Sequence, residues 1–237
     1  VRQIRQTKSE KLQAVFDSNI ELFEDFWQTS LSIGRFPRKT EFDREIELLQ
    51  LGLSTKEIQS LVLQNFNEKD LRESEQLHQD DLVLTQAMST FFGRQTFKDA
   101  SEFKKLQIRH FFKNYLELKE RGTRLLKELG ETELLQKDVE EFIKKGVPHF
   151  YEEEKSLTLH KQCVNELPLR LRAYVECASI LFADVDTIQL LKIHIHSGKL
   201  SFLGYEGFES TPIPRLIERV KVSLWHQRVT YYDYLDE

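Results

Sequence analysis

The sequence predicts an α+β protein, mainly α, with a helical body and a small C-terminal antiparallel β-sheet. Three observations carry this. Apolar residues recur at three- and four-residue steps through about residue 183. From Thr187 onward the period shortens to two. Only 9 Gly and 5 Pro occur in 237 residues, a composition that favours long helices with few turns.

The first helix is expected over Leu12, Val15, Phe16, Ile20, Phe23, Phe26, Trp27 and Leu31, stopped by Gly34 and Pro37. Thr40 with Asp43 reads as a capping box that opens a short helix reaching Leu51. Gly52 breaks it, and Ser54 with Glu57 caps the next helix, which carries Ile58, Leu61, Val62 and Leu63. A polar helix starts near Asn67, turns apolar through Leu82, Met88, Phe91 and Phe92, and ends at Gly93. One long helix is expected from Ser101 to Leu129, and another over Leu135, Val139, Phe142 and Ile143. Glu152, Glu153 and Glu154 fall in a loop, and Pro168 opens a helix that reaches Phe182. Residues 189–196 and 199–205 alternate around Ser197–Gly198, and 220–225 pairs with 229–232. A sheet this small needs a helix on one face, so Leu191, Ile193 and Ile195 should point in, against the helix at 168–182. The expected division is a helical region over 1–150 and a helix plus sheet over 151–237.

The charge balance is 34 Lys and Arg against 39 Asp and Glu, a net −5. This argues against a chain coated in nucleic acid but leaves room for a local basic face. No stretch reaches the ~20 apolar residues of a membrane span. Two cysteines, Cys163 and Cys177, make no disulfide framework, so a reducing cytoplasmic compartment is expected.

The sharpest local signal is a helix-turn-helix-like segment over 40–65. Arg35, Arg38, Lys39, Arg44 and Lys56 are candidates for phosphate contact, and Gln59 for a base edge. Arg94, after Phe91–Phe92–Gly93, is a further phosphate candidate. Glu41, Asp43, Glu45, Glu47 and Glu57 dilute that charge, and a helical hairpin with a solvated face is the alternative. His194 and His196 share a strand face and, with His226, are candidate metal ligands; a pair of surface histidines is the plainer reading. Cys177 reads as a buried small residue and Cys163, near His160, as a thiol without a built site. No glycine-rich nucleotide loop, nucleophile elbow or Asp-Pro-Pro-Tyr-like run occurs, so no catalytic constellation emerges.

Several segments, in order and spacing, resemble the C-terminal region of the bacterial DNA phosphorothioation-associated methyltransferase family. They are Ser9–Glu10, Gly34–Arg35–Phe36–Pro37 with Glu41–Phe42, Phe92–Gly93–Arg94 with Phe97–Lys98–Asp99, and Phe111–Phe112–Lys113–Asn114–Tyr115. Leu157–Thr158–Leu159–His160, Leu167–Pro168, Leu171–Arg172–Ala173–Tyr174 and Cys177–Ala178 follow, then Leu190–Leu191–Lys192, Leu200–Tyr205 and Tyr232–Asp233–Tyr234. The resemblance implies an S-adenosylmethionine-binding, methyltransferase-like domain upstream of Val1 and no cofactor site in this chain. It implies an accessory region that helps a DNA modification and restriction system engage DNA, or that docks the methyltransferase-like domain onto modification-system proteins.

Overall fold

The computed structural model describes residues 7–92, 97–182 and 187–235. Thr7 caps α1 (Lys8–Ser18) in a reciprocal box with Glu10. The single helix expected over 12–31 is two. Asn19 donates its side-chain amide to the Val15 carbonyl at 2.8 Å and its backbone N–H to Phe16, closing α1 before α2 (Ile20–Ile33) begins. Gly34 then ends α2 in the left-handed conformation, as expected.

Thr40 and Asp43 do not cap a helix. Residues 39–41 make one 3₁₀ turn, and α3 (Glu45–Gln50) starts later. The reason is Glu41, whose carboxylate accepts two bonds from the Arg35 guanidinium at 2.6 and 2.7 Å and one from the Arg38 N–H at 2.8 Å. It braces the turn between helices instead of opening one. Gly52 and the Ser54–Glu57 box behave as expected, opening α4 (Thr55–Asn65). Phe16, Phe23, Phe26, Trp27, Phe42, Leu48, Ile58, Leu61 and Val62 form one core, in which Trp27 stacks on Phe66 at 5.3 Å.

The chain divides into two compact units, Val1–Asp81 and Leu82–Glu237, inside α5 (Glu68–Phe92). In the second unit Val83, Leu84, Ala87 and Met88 are buried, whereas Phe91 and Phe92 are exposed. The expected stop at Gly93 lies outside the described residues. The helix expected over 101–129 is also two, α6 (Glu102–Phe111) and α7 (Tyr115–Glu128). Phe112 leaves the helix to be buried, and Asn114 caps the new one by accepting the Glu117 N–H at 2.9 Å. α8 (Thr132–Ile143) follows as expected.

The acidic run is the turn of a hairpin that the sequence reading took for a loop, formed by β1 (His149–Glu152) and β2 (Ser156–His160). Two short strands joined through charged residues give no clear alternation to read. Pro168 sits one position before α9 (Leu169–Leu181). β3 (Leu190–His194), β4 (Lys199–Glu206), β5 (Arg215–Ser223) and β6 (Arg228–Asp233) complete one antiparallel sheet of six strands in sequence order.

Its inner face is apolar: Leu157 and Leu159, Leu191 and Ile193, Leu200 and Phe202, Val220 and Val222. It packs on Leu171, Tyr174, Val175 and Ala178 of α9 and on Leu135, Val139 and Phe142 of α8. Ile195, just past β3, is buried in the same core, so the expected inward parity holds. Two other residues of α9 take no part in this packing: Cys177 faces the α5–α7 core and Leu181 is partly exposed. The Tyr174 hydroxyl donates to the Lys199 carbonyl at 3.2 Å, anchoring α9 to the β3–β4 turn.

Gly198 and Gly52 separate two kinds of glycine dependence. Both have φ near +70° (60° and 69°), but a Cβ on Gly198 would lie 2.5 Å from the Trp225 ring, and one on Gly52 meets open space. Gly52→Ala should cost ~1 kcal/mol for the left-handed backbone alone. Gly198→Ala should cost more and shift the Trp225 fluorescence, which Gly52→Ala leaves unchanged; denaturant unfolding and emission spectra check both.

Candidate nucleic-acid interface

The helix-turn-helix-like segment brings its residues together without making them a basic surface. Arg35 is 4% exposed and its guanidinium is bonded to Glu41, so its charge is engaged in bracing the turn. The same bond holds the Glu41 carboxyl below its ordinary value. Arg44 is shared between Asp25 and Glu47. Arg38 and Lys39 are exposed at the rim of an apolar groove of about 320 Å³, floored by Phe26, Phe42, Leu48 and Ile58. Gln59 lines that groove, and Lys56 stands exposed on the first turn of α4. Residues 1–81 hold 11 Lys and Arg against 16 Asp and Glu, so the whole net charge of −5 belongs to this unit. Arg94 lies outside the described residues.

The local basic face that the overall acidity left room for is elsewhere, on the outer face of the sheet. Inward burial of one parity sends the other parity out. On β3 to β6 the outward residues are Lys192 and His194, Lys199 and Ser201, Arg219 and Lys221, and Arg228, Thr230 and Tyr232. Cross-strand register sets Lys192, Ser201, Lys221 and Thr230 in one row, and His194, Lys199, Ser223 and Arg228 in the next. Lys192 meets Glu152 at 3.4 Å; among the described residues no carboxylate pairs with Lys199, Arg219, Lys221 or Arg228. Arg219 instead lies over the Tyr232 ring at 5.7 Å and donates to the Ser201 hydroxyl at 3.4 Å, while its buried Nε finds no acceptor. Burial, then Arg219, Lys199 and Lys192, push the Lys221 ammonium below its ordinary value. Sequence reading named only the histidines here; the alternation was visible, but the rows appear only once strand register is known.

The histidines do not converge. His194 is on the outer face with Nε2 3.1 Å from the Ser201 hydroxyl, and His196 is past the end of β3, exposed in the turn. His226 sits in the β5–β6 turn with Nδ1 3.1 Å from Ser223. Among the described residues no group of three or more His, Cys, Asp or Glu could hold a metal. Burial pushes the Cys177 thiol up to about 11, which keeps it protonated and unreactive. The one strand-to-helix connection among the described residues, 161–168 between β2 and α9, contains no glycine. No described helix is long and apolar enough to cross a membrane.

Burial first, and then the fields of Lys221, Lys192, Arg219 and Lys199, lower the His194 pKa to about 4. An unfolded histidine titrates near 6.5, so the folded state binds fewer protons between these values. This stability is present above pH ~6.5 and is lost as pH falls toward 4, on the order of 1–2 kcal/mol for a half-buried group. Unfolding at pH 7 and pH 4.5 should show the loss, and His194→Gln should reduce it.

Neither a scan against protein-family models nor searches of curated proteins and of solved structures returns a match, so the family resemblance rests on the segments quoted from the sequence.

Proposed function

We propose that this chain is a non-catalytic accessory region of a DNA phosphorothioation-associated methyltransferase system, and that it engages DNA on the outer face of its C-terminal sheet. The carrying observation is the set of Lys199, Arg219, Lys221 and Arg228 on one face, without carboxylate partners among the described residues. Like charges held this close are costly, and a polyanion relieves that cost. Each phosphate neutralised also releases counterions from the nucleic acid. The helix-turn-helix-like segment is secondary in this reading, because Arg35 and Arg44 are spent on Glu41, Asp25 and Glu47.

A second reading, a docking module for the methyltransferase-like domain or other modification-system proteins, has its own observation. An apolar groove of about 400 Å³ lies among Leu126, Cys177, Ile180 and Leu224, with Phe91 and Trp225 more than half exposed at its edge. Under that reading Trp225→Ala abolishes association with the methyltransferase-like domain and leaves DNA affinity unchanged.

The DNA reading is tested by titrating the protein with DNA at two salt concentrations. Lys199→Glu with Lys221→Glu should lower affinity at least tenfold and reduce the salt slope by about 2. Arg38→Glu with Lys39→Glu should change affinity less than threefold. Absence of binding at low salt, or the opposite ranking, defeats the reading.

A further inference from the structure

We infer that the outer sheet face takes single-stranded nucleic acid in preference to duplex, laying the backbone across Lys199, Lys221 and Arg228 and stacking an unpaired base on Tyr232. The inference rests on the reading of this face as a nucleic-acid interface and names the strand state it selects.

The cations open onto a shallow cavity of about 510 Å³, large enough for a nucleotide, lined also by Ser223, His226 and Tyr232. Three positive groups, the hydroxyls of Ser223, Thr230 and Tyr232, and an imidazole suit a phosphate with its sugar. Tyr232 is 43% exposed on edge strand β6, and Arg219 holds its ring from one side. A ring already oriented loses little freedom when a base stacks on it. The width of the face argues against duplex. Strands lie ~4.8 Å apart, so β3 to β6 span roughly 14 Å, broader than the ~12 Å major groove that admits one helix or a two-stranded ribbon. A duplex can therefore meet this face only through phosphates, with its base faces stacked away. A single strand offers phosphates and bare base faces together.

The test measures affinity for a 12-nucleotide single strand carrying one 2-aminopurine, and for its duplex, at one salt concentration. The single strand should bind at least fivefold tighter, with 2-aminopurine fluorescence quenched. Tyr232→Ala should remove the preference and the quenching, while Tyr232→Phe keeps both. Equal or tighter duplex binding, or a preference that survives Tyr232→Ala, overturns the inference. If both forms bind equally through Lys199 and Lys221, the interface reading stands and only the strand preference falls. If neither binds, both fall.

Discussion

Burial of one face of a six-stranded antiparallel sheet against α8 and α9 is the constraint on which the rest of the second unit depends. Successive side chains in a strand point to opposite faces. Once Leu191, Ile193, Leu200, Phe202, Val220 and Val222 are committed to the core, Lys192, His194, Lys199, Arg219 and Lys221 have only the other face to occupy. A one-residue slip of β3, β4 or β5 would turn its cations toward the core and its apolar side chains outward. The basic face is thus the obligatory complement of the core.

The same constraint concentrates electrostatic strain. Burial first, and then the neighbouring cations that register leaves no room to move apart, hold His194 neutral below its ordinary range and push the Lys221 ammonium down. Several arginines elsewhere are neutralised at once: Arg35 by Glu41, Arg44 by Asp25 and Glu47, Arg170 by Glu128 and Asp138. That contrast distinguishes a structural arginine from a candidate ligand site. Arg35 is locked and invisible to solvent, whereas Lys199, Lys221 and Arg228 carry charge that the described fold leaves without a carboxylate. A chain that is acidic overall can still offer one polyanion-binding face in this way.

Much of the fold was legible because periodicity reports burial directly. The shift to alternation at Thr187, the Ser197–Gly198 turn and the Ser54–Glu57 box each encode a local geometry that tertiary structure keeps. The differences arise where a side chain or a strand partner redirects the local apolar pattern. Glu41, bonded to the Arg35 guanidinium and the Arg38 N–H, braces a 3₁₀ turn where Thr40 with Asp43 was expected to open a helix. Asn19 and Asn114 interrupt apolar patterns that run straight through them, because a side-chain amide can close one helix or open the next without disturbing the spacing. β1 and β2, four and five residues long and joined through Glu153–Lys155, owe their form to pairing, β1 with β2 and β2 with β3, which no local pattern shows. The basic face was unreadable for a related reason. Its residues come from four strands, and which cation stands beside which depends on register, which no single segment contains.

The central claim, that the sheet's outer face and not the helix-turn-helix-like segment meets nucleic acid, is tested most directly by lysine footprinting. The protein is acetylated with and without a saturating single strand, and modification at each lysine is read by mass spectrometry. The account predicts that Lys199 and Lys221 become protected while Lys8, Lys39 and Lys56 react as before. Protection centred on Lys39 and Lys56, with Lys199 and Lys221 unchanged, would contradict it.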